Sequence, residues 1–412
     1  MDWPIANYIF RSYKPEAIFS KGPYPLNMLG VVARSPNLKL SDAMAMGAGE
    51  DDLNNFNYSN VYEKYDHLTM EEWAALRMPK AGKMFDITMR PVEQTTVNLR
   101  EKLSAAYMLT IQQMYFLDNA DADKKQVTTK PWSVSVIGPW EAHLESLGVK
   151  IEKNTTVSHL HFSNGTLADV DGVVYDHVVM AAHQASVQAL LKSATVDDEA
   201  TQNALEDIGG PVAQLPNAPA FKILRGWFDG KLGQGEGVNK TRPMVVEVPE
   251  HFPICLIAQY HEMEDESKAW ASKTGGSVIE FHLYTYNATE INAPDKEVWE
   301  AVKPTVLDIY PEIASLKLLG LTVGTYGHRL DSPSMPGWHA KTYGIRPHSD
   351  TPRKKGIRNL AFAGDWLHTE YPSAFMERAV STGREAANLI LLDDGVRQVD
   401  MVVPPLLGPG ML

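Results

Sequence analysis

The stretch Leu360–Leu391, LAFAGDWLHTEYPSAFMERAVSTGREAANLIL, decides how the rest of the chain is read. It opens on a short apolar run, Leu360–Ala363, that stops at Gly364-Asp365. In open α/β sheets, ligands gather beyond the carboxyl ends of the strands. Gly364 lets a backbone come close to such a ligand, and Asp365 offers a carboxylate to ribose-like hydroxyls. A loop from Trp366 to Tyr371 is closed by Pro372, and Ser373 is the expected N-cap of a helix running to about Leu391. Ala379, Gly383, Ala386 and Ala387 fall near one face of that helix. A glycine inside a helix costs about 1 kcal/mol against alanine, so Gly383 is expected to pack closely on a sheet. The helix N-terminus, with its free N–H groups and partial positive charge, suits an anionic group.

Around this stretch the chain is ordinary globular protein, with 412 residues, 44% hydrophobic and 22% charged. Its formal charge of −13 disfavours nucleic acid as a partner. The short basic cluster Arg353, Lys354, Lys355 and Arg358 reads as a solvated loop. Cys255 is the only cysteine and lies in the apolar run Ile254–Ile257, so it is expected in the core and forms no intramolecular disulfide. No apolar stretch reaches the length of a transmembrane helix, and the opening MDWPIANYIF has no secretory pattern. A cytoplasmic or plastid location is expected, with peripheral membrane association left open.

Residues 1–125 read as mostly helical, with the clearest helix over Val97–Leu117 and another starting near Thr69. The acidic, Asn-rich stretch Gly47–Tyr65 is expected to be a loop. The helix Pro139–Leu147 should end at Gly148. The runs Val149–Ile151, Val157–Phe162, Val170–Val174 and Val178–Ala182 predict strands, the last one buried on both faces. Helices are expected over Asp197–Ile208 and Glu297–Tyr310. Further strands are expected over Ala220–Trp227, Met244–Val248, Ile254–Ala258 and Ser277–Tyr284.

The string FAGDW…PSAFMERAVSTGREAANLIL resembles the C-terminal flavin motif of the amine oxidase/phytoene desaturase superfamily. Members commonly read AGD, then MEGA, then SG and AA; here Arg378 stands where many have glycine. The GDW, MERA and TG elements are most similar to the carotenoid desaturase branch, especially the isorenieratene synthase type. Pro336-Gly337, Arg346-Pro347 and Thr351-Pro352 resemble that branch too. The resemblance extends, less specifically, over Pro131–Ala182, through Gly148-Val149-Lys150-Ile151, Asn154 and Val157.

The resemblance implies an α/β fold: an FAD-binding, Rossmann-like domain of amine oxidase type, plus an α+β substrate domain. It implies segments at 1–125 (helical, substrate side), 126–190 (FAD-binding), 191–345 (substrate domain), 346–395 (FAD-binding) and 396–412 (tail). It further implies FAD as cofactor, held by Val157, Gly364, Asp365, Trp366, Met376, Glu377 and Ala379. The family's opening G-x-G-x-x-G is missing: Gly47-Ala48-Gly49 is followed by acids, and Gly233–Gly237 is no match. The first βαβ unit is therefore expected to be lacking.

No His/Asp/Glu cluster has convincing ligand spacing along the chain, so no metal site is expected, although His159, His161, His177, His183, His328, His339, His348 and His368 are numerous. No G-x-S-x-G elbow points to a serine hydrolase. Some flavin amine oxidases use a lysine on a substrate-domain strand; Lys222 occupies such a place, with an ordinary surface lysine as the simpler reading. No catalytic residue is assigned, since the flavin carries the redox chemistry. The expected function is FAD-dependent desaturation of a carotenoid or similar apolar substrate. The rivals are an amine oxidase of the same superfamily and a non-catalytic binding or assembly subunit.

Overall fold

The computed structural model describes residues 48–232 (apart from 82–84, 86–88, 118–124 and 127), 254–283, 293–326 and 335–408, with 2–3, 5–7, 41, 44, 45 and 245–247. The G-rich segment at Gly233–Gly237 and His328 lie outside them.

Three hydrophobic cores organise these residues. The first is helical: α1 (Ala48–Asn54), α2 (Tyr58–Tyr65), α3 (Met70–Arg77) and α4 (Ala105–Gln112). α3 starts where its sequence says, because Thr69 and Glu72 close a reciprocal capping box. α1 and α2 replace the expected loop. Asp51 and Glu63 are exposed, but Asp52 is buried: it accepts hydrogen bonds from Tyr65 and from Trp73 Nε1, and pairs with Arg77 Nε at 2.7 Å. α4 is shorter than the expected helix. Val97 turns left-handed (φ 53°) to end the preceding helix, Ser104 caps α4, and the last turn widens into a π-helix at Gln113–Leu117.

The second core holds the carboxyl-terminal stretch. Helix α5 (Gly138–Ser146) is followed by Gly148 at φ 88°, as expected of a helix-ending glycine. β1 (Leu160–Ser163) and β2 (Thr166–Val170) form a hairpin, and β3 (Val178–Met180) precedes α6 (Gln184–Ser193) and α7 (Glu199–Gln214). Asp198 caps α7, which runs well past Ile208 and through Pro211. Val149–Ile151 and Val173–Val174 form no strand, and Val157 precedes β1 as irregular, 42% exposed chain. Val179 is also 36% exposed, so β3 is not buried on both faces. Helix α5 and the π-turn before it bury no residue, leaving Trp132, Val134, Ile137 and Trp140 exposed.

The third core lies under an antiparallel sheet built from β5 (Phe221–Phe228), β6 (Val245–Glu247), β7 (Ile254–Gln259), β8 (Ser277–Leu283) and β9 (Leu318–Tyr326). Strand order is β9-β5-β8-β7-β6, with Ile5–Asn7 added in parallel at the β6 edge. Burial alternates along β5, so Leu224 and Phe228 face helix α9 (Asp295–Ile309). Cys255 is buried in β7 as expected. Lys222 is not a surface lysine: it is buried in β5, and its Nζ donates to the Ala293 carbonyl at 3.0 Å.

Last come β10 (Leu360–Phe362) and α10 (Phe375–Asp393). β10 pairs in parallel with β3, Leu360 opposite Val178 and Phe362 opposite Met180, and belongs to the second core. α10 crosses back over this pair, with Ala386 against Ala361 and Ala363. The small-residue face thus packs at Ala386, whereas a side chain at Gly383 would meet nothing within 4 Å.

Candidate functional site

The parallel pair β3–β10 ends in Ala363-Gly364-Asp365, and Ala363 extends the ladder by one bond to the Met180 carbonyl, 3.0 Å. Gly364 then takes φ 144°, a conformation that disfavours any other residue, and a Cβ there would lie 2.7 Å from the Trp366 Nε1. Its backbone is clamped to α10: the Gly364 N–H donates to Thr382 Oγ1 at 2.9 Å. The strand end and the helix are therefore one rigid corner.

Helix α10 begins without a side-chain cap. Ser373 is not the N-cap; Ala374 is, and it has no group to offer. Arg378 explains the shift. From the first turn its guanidinium folds back and donates to the Ser373 carbonyl (2.6 Å from Nη2) and to the Leu367 carbonyl (3.2 Å), using up the serine. Phe375, the first helical residue, sits at φ 49°, a strained value for an aromatic side chain. The start of α10 thus presents uncapped N–H groups from a backbone held in an unusual shape.

Beneath this corner lie two buried guanidiniums. Arg378 is fully buried and Arg346 is 3% exposed. The indole of Trp338 lies 4.3 Å from Arg378 Cζ and 3.7 Å from Arg346 Cζ, and Tyr107 stacks on it at 4.1 Å. Arg346 donates to the carbonyls of Trp366 (2.9 Å) and Gly337 (2.6 Å), while its Nε is buried without a partner. Both cations are satisfied by neutral oxygens, which leaves their charge uncompensated at contact range. Asp365 is the nearby acid. Burial pushes its carboxyl up to about 6, against the opposing pull of Arg378, Arg346 and His183.

The residues expected to hold a cofactor divide accordingly. Gly364 and Asp365 stand at the strand end, Met376 lies in the first turn of α10 with its side chain exposed, and Ala379 follows, half-buried. Glu377 lines a cavity of about 120 Å³ with Gln113, Met114, Tyr115, Pro372, Pro404 and Pro405. Trp366 has no surface to give: it is fully buried, with its Nε1 directed to the Ala182 carbonyl. Val157 stands outside the strand that was to present it. Arg346, Trp338 and Tyr343 were missed, although Arg346-Pro347 had been noted; only the departure at Arg378 pointed at a buried charge.

Residues 136–391 match the family described as flavin containing amine oxidoreductase. The chain is 27% identical over 396 residues to a carotenoid phi-ring synthase of Streptomyces griseus, covering 93% of this chain and 70% of that protein. Among solved structures it is similar to putrescine oxidase bound to putrescine (TM-score 0.61, 12% identity, 86% of this chain and 77% of that one). A protein from Exiguobacterium sp. described as a putative protoporphyrinogen oxidase is also similar (TM-score 0.53, 12% identity, 95% and 80%). The fold is that of the FAD-binding amine oxidase type, with mixed α and β structure.

This chain belongs to the flavin containing amine oxidoreductase family. It is a flavin-dependent oxidoreductase, and its cofactor is FAD.

The corner fits that group. The α10 N-terminus has no side-chain cap, and beneath the corner the buried Arg346 Nε has no partner, so unspent N–H donors suit the anionic groups of such a cofactor.

Proposed function

We propose that the chain oxidises a carotenoid or a similarly apolar polyene, removing hydrogen from its end ring. The observation that carries this is the Arg346–Trp338–Arg378 stack beneath the Gly364–Asp365 corner. Two buried guanidiniums repel a protonated amine and are indifferent to a hydrocarbon, so the site opposes the amine oxidase reading. The 27% identity with a carotenoid phi-ring synthase, across 93% of this chain, supports the same choice.

FAD, when bound, supplies the hydride-accepting chemistry. Gly364, Asp365 and the first turn of α10 would hold it. The helix N-terminus and Arg378 would favour negative charge on a group held there. Tyr115 and Phe375, part-buried and in edge contact at 5.9 Å, would give an apolar surface against which a polyene is oriented, with the Tyr107–Trp338 stack packed beneath. A polyene is dissolved in membranes, so the chain would work at a membrane surface; among the described residues no helix is long and apolar enough to cross one.

The test is an anaerobic turnover assay on flavin-loaded chain, with a cyclic-ended carotenoid in liposomes beside putrescine. Bleaching of the flavin by the carotenoid, with a product lighter by a hydrogen pair, is expected. Bleaching by putrescine alone would return the chain to the amine oxidases. Failure to retain FAD at all would make it a binding or assembly subunit.

A further inference from the structure

His368 and Glu370 are two residues apart, but His348 lies on a different loop, well before them in sequence. Folding brings one donor atom of each within 4.8 Å of the others. His348 Nδ1 and His368 Nε2 each stand 3.8 Å from Glu370 Oε1. That is too long for a hydrogen bond and leaves a gap between the three groups. The two imidazoles overlap at 4.1 Å with a 33° tilt, so both rings are placed beside the same carboxylate.

The frame around them is built. The other neighbour of the His368 ring is Tyr343, with ring centroids 4.3 Å apart, so the imidazole is held between two rings. The two loops are also tied through backbone: the His368 N–H donates to the Pro347 carbonyl at 3.0 Å, and the His348 N–H to Thr351 Oγ1 at 2.8 Å.

We infer that His348, His368 and Glu370 form a binding site for a divalent transition-metal ion of the zinc class. Two imidazoles and one carboxylate are a zinc-type donor set, and three protein ligands leave a fourth position for water. Ligand atoms about 2.0–2.2 Å from zinc stand roughly 3.3–3.5 Å from one another in a tetrahedral shell. The three groups must close by less than about 1.5 Å, through rotation of the exposed Glu370 and the more exposed of the two histidines, His348. An ion there would join the loop after Asp365 to the loop after Arg346, and so brace the corner from outside. The inference is independent of the flavin reading, because neither the donors nor the test involve FAD.

The test is zinc retention by the full chain, stripped with chelator, equilibrated with zinc chloride, dialysed, and assayed by mass spectrometry for metal and by thermal melting. One zinc per chain and a zinc-dependent rise in melting temperature are expected. H348A and E370Q should each weaken retention at least tenfold and lose the rise, while H143A, at an exposed histidine elsewhere, keeps both. E370Q alters only an exposed side chain, so it decides the matter if H348A fails to fold. No retention by the parent chain, or equal retention by E370Q, would overturn the site.

Discussion

Asp365 and Arg378 pull the site in opposite directions. Burial holds the Asp365 carboxyl up to about 6, so the ionised form costs stability in the folded chain. The sign follows: the cost is absent below the ordinary carboxylate value near 4, grows between about 4 and 6, and is complete above that. D365N should therefore unfold in more urea than the parent at neutral pH, by on the order of 2 kcal/mol, with the gap closing in acid. The same variant should bind FAD more weakly. Arg378 is the reverse case. R378M leaves the Ser373 and Leu367 carbonyls without their donor and should lose roughly 3 kcal/mol by thermal melting. R378K should not rescue it, since an ammonium cannot reproduce a planar fork lying over Trp338. The sequence announced Arg378 only as a departure from a glycine. Trp338 and Arg346 gave no sign of their place, because what makes them important is each other.

Elements were legible where local chemistry and tertiary demand agree. Thr69 and Glu72 form the capping box their spacing promises, and T69A should cost about 1 kcal/mol in urea unfolding. The strands of the antiparallel sheet are legible because their apolar runs are buried as written, from Ile254 to Ala258 and from Ser277 to Leu283. Agreement failed where a long-range partner decides. Gly47–Tyr65 looks like an acidic loop until Asp52 meets Trp73 and Arg77, and Ser373 looks like a cap until Arg378 claims it. Gly383 was expected to be held by close packing, yet a side chain there has free space. G383A should accordingly stabilise the chain by up to about 1 kcal/mol, measured by the same urea titration.

At the scale of the whole molecule, the segment from Pro336 to Pro347 joins two cores. Trp338 and Tyr343 pack with the helical core, while Ile345 packs with the core beneath β10. Buried Asp66 fastens the junction, accepting from Ser104 Oγ at 2.7 Å and from the Tyr343 N–H at 3.2 Å. Closure of the FAD corner therefore depends on both cores at once. A ligand that binds the corner should raise a single melting transition of these two cores rather than one of two, by the usual mass-action increment. Scanning calorimetry with and without FAD checks this; two separately moving transitions would show the junction to be weaker than its contacts.

Helix α5 and the π-turn before it carry Ile137 and Trp140 into solvent and bury none of their own residues. Association of such surfaces strengthens on warming, because apolar hydration is entropically driven near room temperature. The solubility of the isolated chain should therefore run backwards with temperature. Solutions clear on ice should turn cloudy when warmed and clear again on cooling, well before any secondary structure is lost.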